Sequence, residues 1–184
     1  MSDRWVRRTW QGSAERNAYF VVLNEDAYRA DRIDDAARAA FFATGAAHVD
    51  WVAGLIARHV SPDFAPRRVL DFGCGVGRLL VPLAERAEAA VGIDVSPAML
   101  DEAARNCSAR GLTNVSLVRS EEGLPGLTGA FDLVHSFITF QHIPPPRGEA
   151  LAARILEHLA PGGVAALHFT YHRAAPRWRR TVHA

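Results

Sequence analysis

The chain has 184 residues, enough for one domain with a buried core. Its 49% hydrophobic and 22% charged content is that of a soluble globular protein, and a formal charge of +1 excludes a global electrostatic footprint for nucleic acid. Cys74 and Cys107 offer neither metal spacing nor a disulfide framework, and Met1–Gln11 is polar and arginine-bearing, unlike a secretory signal. With no apolar run that reads as a membrane span, the expectation is a cytoplasmic protein with reduced thiols and no membrane partner.

Residues 1–66 read as a helical segment ahead of the first strand. Asp34–Phe42 is alanine-rich with an acidic start. A second helix is expected over Ala46–His59, with Val49, Val52, Ala53 and Ile56 on one face. Ser61-Pro62-Asp63 and Pro66 end it.

The stretch Val69–Leu80 then organises the rest. A short apolar strand reaches Asp71, glycines follow at Gly73, Gly75 and Gly77, and a helix is expected over Gly77–Arg86. Glycine turns and a helix start make a ligand cradle at the carboxyl edge of a parallel sheet, with bare backbone and unpaired N–H groups. The dinucleotide fingerprint G-x-G-x-x-G fails here, because Arg78 stands at its third glycine position. A carboxylate at Asp71 repels a pyrophosphate and suits an ammonium group.

A second buried strand, Ala89–Asp94, ends in an acid at the remove expected for a carboxylate that takes ribose hydroxyls; a helix cap or loop acid is the other reading. Ser96 reads as an N-cap, Pro97 as the first turn, Met99, Leu100, Ala103 and Cys107 as an inner face, and Gly111 as the stop. Asn114–Arg119 and Ala130–Ser136 read as the third and fourth strands. Pro144–Pro146 is a stiff turn, and Arg147–Leu159 is a helix with Leu151, Ile155 and Leu159 on one face. Ala160–Gly163 breaks that helix and Val164–Phe169 is a fifth strand.

Asp71-Phe72-Gly73-Cys74-Gly75-Val76-Gly77, Asp94-Val95-Ser96-Pro97 with Met99-Leu100, Phe131-Asp132-Leu133-Val134 and Leu159-Ala160-Pro161-Gly162-Gly163 occur in order. Together they resemble the class I S-adenosylmethionine-dependent methyltransferases. The resemblance spans Val69–Phe169. It implies a Rossmann-like α/β fold, a mostly parallel sheet of order 3-2-1-4-5 with helices on both faces. Residues 67–184 would be the cofactor-binding core and residues 1–66 a helical cap, with Tyr19, Phe20, Phe41, Thr44 and Gly45 as candidates to close it; packing of helix on helix is the competing reading for each. The family's sheet has seven strands, and the fifteen or so residues after Phe169 are too few for the last two. The core is therefore expected to be C-terminally incomplete, with the fifth-strand edge open to pairing with a second copy. The basic, aromatic tail Tyr171–Arg180 reads as the start of a helix rather than a nucleic-acid contact.

The resemblance implies S-adenosyl-L-methionine as cofactor, with S-adenosyl-L-homocysteine as product. Asp71, Phe72, Gly73, Cys74 and Gly75 would face its methionine end, joined by Ser136 and Phe137. Asp94 and Val95 would take the ribose. Met99 would touch the adenine or belong to the core. The family's adenine-binding Asp is replaced by Ser120, with Glu121 and Glu122 as substitutes. A sulfonium methyl is already activated, so alignment of acceptor, methyl and sulfur is the main task, worth about 7–11 kcal/mol. A base adds roughly 10²–10⁴-fold for an acceptor that carries a proton. His142 is the candidate base and Gln141 a candidate to orient a small-molecule acceptor. His135 and His168 read as structural. The competing functions are a nicotinamide-dependent dehydrogenase, disfavoured by Asp71 and Arg78, and a degenerate cofactor-binding or interaction module of the same fold.

Overall fold

The computed structural model describes residues 3–121 and 124–170. Five parallel strands, β1 (Arg68–Phe72), β2 (Ala89–Asp94), β3 (Val115–Arg119), β4 (Phe131–Ser136) and β5 (Leu159–Leu167), form one sheet of order β3-β2-β1-β4-β5. This is the expected order, with the strand order reversing at β1, where β1 pairs with both β2 and β4. In such a sheet, ligands bind beyond the carboxyl ends at that reversal.

Alternation along the strands divides the core in two. Val69, Ala90 and Leu133 face one cluster with Phe41, Val49, Leu80 and Met99. Leu70, Phe72, Ile93 and Val134 face another with Leu151 and Ile155. The helices that cover the sheet are α1 (Asp3–Leu23), α2 (Asp35–His59), α3 (Leu80–Ala84), α4 (Pro97–Ser108) and α5 (Pro145–Leu156). In α4, Ser96 accepts from the Met99 N–H and Pro97 occupies the first turn, as expected. Gly111 follows it with φ +67°.

Three boundaries differ from the sequence expectation. The two helices expected before β1 are one, capped by Asp34, whose side chain accepts from the Ala37 N–H. Gly45 is not a break. A Cβ there would lie 2.0 Å from the Arg78 carbonyl oxygen, so the missing side chain lets α2 lie directly on the glycine turn. At 25 residues, α2 is also long and apolar enough to cross a membrane, contrary to expectation, but it lays Phe41, Phe42, Val49, Val52 and Ile56 into the core.

The second difference is α3, five residues long instead of the ten expected. Pro82 has no N–H for the carbonyl of Arg78, and the preceding Val76–Leu79 is turn. The third lies at β5. Leu159–Gly163 belongs to the strand rather than breaking a helix, and a register shift between Phe131 and Leu133 accommodates it. Helix α5 therefore stops at Leu156, and it starts at Pro145, because proline is tolerated in a first helical turn.

Candidate functional site

A cleft opens above the carboxyl ends of β1, β2 and β4. Its floor is Asp71, Phe72, Gly73, Cys74 and Gly75, and its sides include Asp94, Val95, Met99, Ser120, Phe137 and His142. Eleven of the expected site residues thus line one cavity. Ser136 does not; it is buried, and its hydroxyl donates to the Phe72 carbonyl at 2.8 Å, tying β4 to β1. Gln141 is also outside the lining, where its amide oxygen accepts from the Thr170 hydroxyl at 3.1 Å. Glu121 is exposed and off the cleft, and Glu122 lies outside the described residues.

The glycine loop is shaped by its own hydrogen bonds. The N–H groups of Gly73 and Cys74 both donate to the Ile93 carbonyl, at 2.7 and 2.9 Å. The Gly75 N–H donates to Asp94 Oδ2 at 3.0 Å. The N–H groups of Gly73, Cys74 and Gly75 on the cleft floor are therefore engaged, and a five-residue α3 adds no substantial dipole, so side-chain charge carries much of what the cleft offers a ligand. Gly73 is required for closeness: with φ +79°, a Cβ there would sit 2.2 Å from Thr139 Oγ1.

Asp71 is 2% exposed. Its Oδ1 accepts from His135 Nδ1 at 2.9 Å, while Oδ2 is buried without a hydrogen-bond partner. A lone buried carboxylate oxygen is costly and marks a position that a donor completes. Arg78 mirrors it. It is 6% exposed, lines the cleft, gives one N–H to Thr44 Oγ1 at 3.3 Å and leaves Nε unpaired. Burial pulls the Arg78 guanidinium down from its ordinary pKa, against the opposing pull of Asp71. Asp94 accepts from the N–H groups of Gly75 and Ser96, and burial raises its pKa against those bonds. It is a clasp for two loops, not the cap of α4, and it still faces the cleft. Burial pushes the Cys74 thiol well up, so it contributes volume rather than a thiolate.

The helical segment ahead of β1 does reach the cleft, through different residues than expected. Trp10, Val21 and Val22 of α1 line it. Gln11 anchors this wall, its Oε1 accepting from Ser96 Oγ at 2.9 Å and the Ala98 N–H at 3.2 Å. Of the expected lid residues, Phe41 is wholly buried and Gly45 lies on the Arg78 backbone. Tyr19 sits under the wall, donating to Glu102 and Asn106, and its hydroxyl pKa is pushed up to about 12, first by burial. Thr44 reaches the site indirectly through Arg78, and the Phe20 ring lies under the Arg29 guanidinium.

Sequence reasoning missed Arg78 and His135 as site residues. Arg78 entered only as a failed glycine position. His135 is the penultimate residue of β4, as Asp71 is of β1, and the parallel register pairs the two. Aligning the ends of the two strands would have brought them together.

The comparisons with known proteins agree with this architecture. The family described as a methyltransferase domain matches residues 69–163. The chain is 40% identical over 105 residues to the aklanonic acid methyltransferase DauC of Streptomyces sp., covering 54% of this chain and 47% of that one. It is 41% identical over 110 residues to the trans-aconitate 2-methyltransferase of Deinococcus radiodurans, covering 58% and 39%. Among solved structures it resembles CalS10, an amino pentose methyltransferase from Micromonospora echinaspora bound to S-adenosylmethionine, with TM-score 0.55 and 32% identity over 66% of this chain and 49% of that one. The chain thus spans about half the length of the curated relatives it matches, or less. With the matched family segment covering strands β1 to β4 and the start of β5, the chain belongs to the methyltransferase-domain family, the class I S-adenosylmethionine-dependent methyltransferases.

Proposed function

We propose that this chain binds S-adenosylmethionine in the cleft above β1 and transfers its methyl group in line to a small-molecule acceptor, leaving S-adenosylhomocysteine. The observation that carries the reading is the pair of incomplete buried charges, Asp71 with Oδ2 unpaired and Arg78 with Nε unpaired, on two residues that line one cavity. A zwitterionic amino-acid end fits such a pair, its ammonium at Asp71 and its carboxylate at Arg78. A diphosphate would meet a buried carboxylate and a loop whose Gly73, Cys74 and Gly75 N–H groups are already engaged. Asp94 would take the ribose hydroxyls on its remaining lone pairs, beside Val95. Met99 and Ser120 would bound the adenine, the Ser120 hydroxyl serving where an acid is usual.

When bound, the cofactor supplies a methyl on a sulfonium, and the chain's residues hold and shield it. Residues 1–66 act as the cap in this reading, with Trp10, Val21 and Val22 keeping water from the reacting centre. His142 would touch the acceptor at the rim, where its ring meets Trp10 edge-on at 5.0 Å. Gln141 supports it, with its amide nitrogen 3.1 Å from His142 Nε2. The relatives include methyltransferases named for aklanonic acid and trans-aconitate, which favours small molecules as acceptors.

Calorimetry with S-adenosylmethionine, S-adenosylhomocysteine and NAD tests the reading. Binding of the first two and not the third is expected, and NAD binding alone would overturn it. Ser120 in place of an acid favours one alternative, a cofactor-binding module without turnover. Release of S-adenosylhomocysteine in the presence of an acceptor panel would exclude that alternative.

A further inference from the structure

Behind the cofactor cradle, the buried face of the sheet carries two histidine rings linked in a chain to Asp71. Asp71 and His135 are register partners on adjacent strands, each 2% exposed, on the face covered by α2. An ionised carboxylate only accepts, so His135 Nδ1 carries the hydrogen of their 2.9 Å bond. In neutral His135, Nε2 then holds a lone pair, and 3.2 Å away stands Nε2 of His48 on α2. His48 must donate from that nitrogen, which leaves its Nδ1 as the basic atom.

We infer that Asp71, His135 and His48 form a proton relay whose outer member, His48, is the general base for an acceptor carrying a hydroxyl or amine proton. The inference deepens the methyltransferase reading and rests on it.

The place of His48 supports this. It is half-buried and stands just behind the cleft lining, its ring centroid 4.1 Å from that of Phe137, which lines the cleft. Trp51, one helical turn on, is 60% exposed with its ring 5.7 Å from His48. His168 flanks the other side of Phe137 at 5.0 Å. These rings, tilted 39–56° to one another, surround His48 with aromatic faces, and the basic nitrogen fixed by the relay belongs to His48.

The charges facing His48 explain why a relay is needed. Burial, then His135, Arg78 and His168, lower its pKa to about 4, and only Asp71 opposes them. Alone, it is ready to accept at neutral pH but binds a proton weakly. Passing the proton inward removes that weakness. The acceptor's proton goes to His48 Nδ1, and the Nε2 proton of His48 goes to His135 Nε2. The electron pair left on the acceptor forms the new bond to the methyl as the methyl–sulfur bond breaks and its electrons stay on sulfur. One positive charge is lost at sulfur and one appears on His135, beside Asp71. The site as a whole keeps its net charge, and the new imidazolium lies 2.9 Å from Asp71 Oδ1, with the cofactor's ammonium on the other oxygen.

Histidine-selective 15N NMR of the full chain decides the geometry without any acceptor. At neutral pH, His48 is expected protonated at Nε2 and bare at Nδ1, with His135 protonated at Nδ1. His135→Asn should leave His48 a mixture of tautomers and move its titration up toward the ordinary value. A proton on His48 Nδ1, or a tautomer unchanged by His135→Asn, would overturn the relay; the wild-type spectrum suffices should that variant fail to fold. With phenols and amines as acceptors, His48→Asn should cut kcat by roughly 10²–10⁴-fold and flatten its pH profile, leaving KM for S-adenosylmethionine in place. An equal kcat in His48→Asn would overturn the catalytic role. Calorimetry on the same samples separates the two readings: a wild-type chain that fails to bind S-adenosylmethionine sinks the methyltransferase proposal whatever the tautomers show.

Discussion

Gly45 offers a test in which two physical effects predict opposite signs. It lies inside α2, where glycine-to-alanine replacement ordinarily stabilises a helix by about 0.8–1.0 kcal/mol. The Cβ, however, would fall 2.0 Å from the Arg78 carbonyl oxygen, 2.9 Å from its carbon and 3.1 Å from Arg78 Cγ. Even carbon–oxygen contacts of the weak hydrogen-bond type need about 3.3–3.6 Å, so α2 must retreat by more than 1 Å. Overpacking of this kind costs about 1–3 kcal/mol, and backbone on both sides puts this case at the upper end. The net expectation for Gly45→Ala is a loss of about 1–2 kcal/mol, or several degrees in Tm at roughly 2–4 °C per kcal/mol for a chain of this size. Gly54, in the same helix, has nothing within 4 Å of its Cβ position. Gly54→Ala should therefore gain the helix term, about 0.8–1.0 kcal/mol. Urea unfolding of both variants, with unchanged slopes, reads the difference. Because Arg78 lines the cleft, Gly45→Ala should also weaken cofactor binding while Gly54→Ala leaves it alone. If both variants shift the urea midpoint upward by similar amounts, α2 does not lie against Arg78 as described.

Asp71→Asn keeps the shape of the side chain and removes its charge; the lost charge-assisted contact, about 1.5–3 kcal/mol, should weaken S-adenosylmethionine binding roughly 10- to 150-fold by calorimetry. An unchanged Kd would place the ammonium elsewhere. His48 makes stability depend on pH. Its folded pKa of about 4 lies below the ordinary 6.5, so between those values the unfolded chain binds a proton that the folded chain refuses. Stability from this group is complete above about pH 6.5 and is lost as pH falls toward 4, and His48→Asn should flatten that part of the urea-midpoint profile. Tyr19→Phe strips the hydroxyl that donates to Glu102 and Asn106 under the α1 wall. It should cost about 1–3 kcal/mol of stability in denaturant melts. Since Tyr19 is outside the cleft lining, the affinity of the folded protein for S-adenosylmethionine should hold.

The first four strands were legible because each is a short run rich in apolar residues and closed by a turn signal; the first half of β5 was not, because it is Leu159-Ala160-Pro161-Gly162-Gly163. The ends of β1 and β2 could be located through Asp71 and Asp94, and the start of α4 through Ser96 and Pro97, to within a residue. The helix boundaries were harder. Gly45 has the local look of a break, and its actual reason, contact with Arg78, is 33 residues away. Trp10, Val21 and Val22 read as ordinary apolar residues until Gln11 fastens α1 to the start of α4.

Local chemistry thus determined by itself the strands that build the sheet and the acid beside the glycines, from which the proposal of a cationic ligand group over a diphosphate was drawn. Those properties depend on side-chain identity and on spacing along one strand and turn. Tertiary structure alone decided which charges were left incomplete and what they meet. Asp71 has one oxygen satisfied and one not because parallel register sets His135 beside it, and Arg78 is buried because α2 closes over it. Pairings across strands and between layers join residues far apart in the chain, and the free energy of a buried charge depends on all of its neighbours at once.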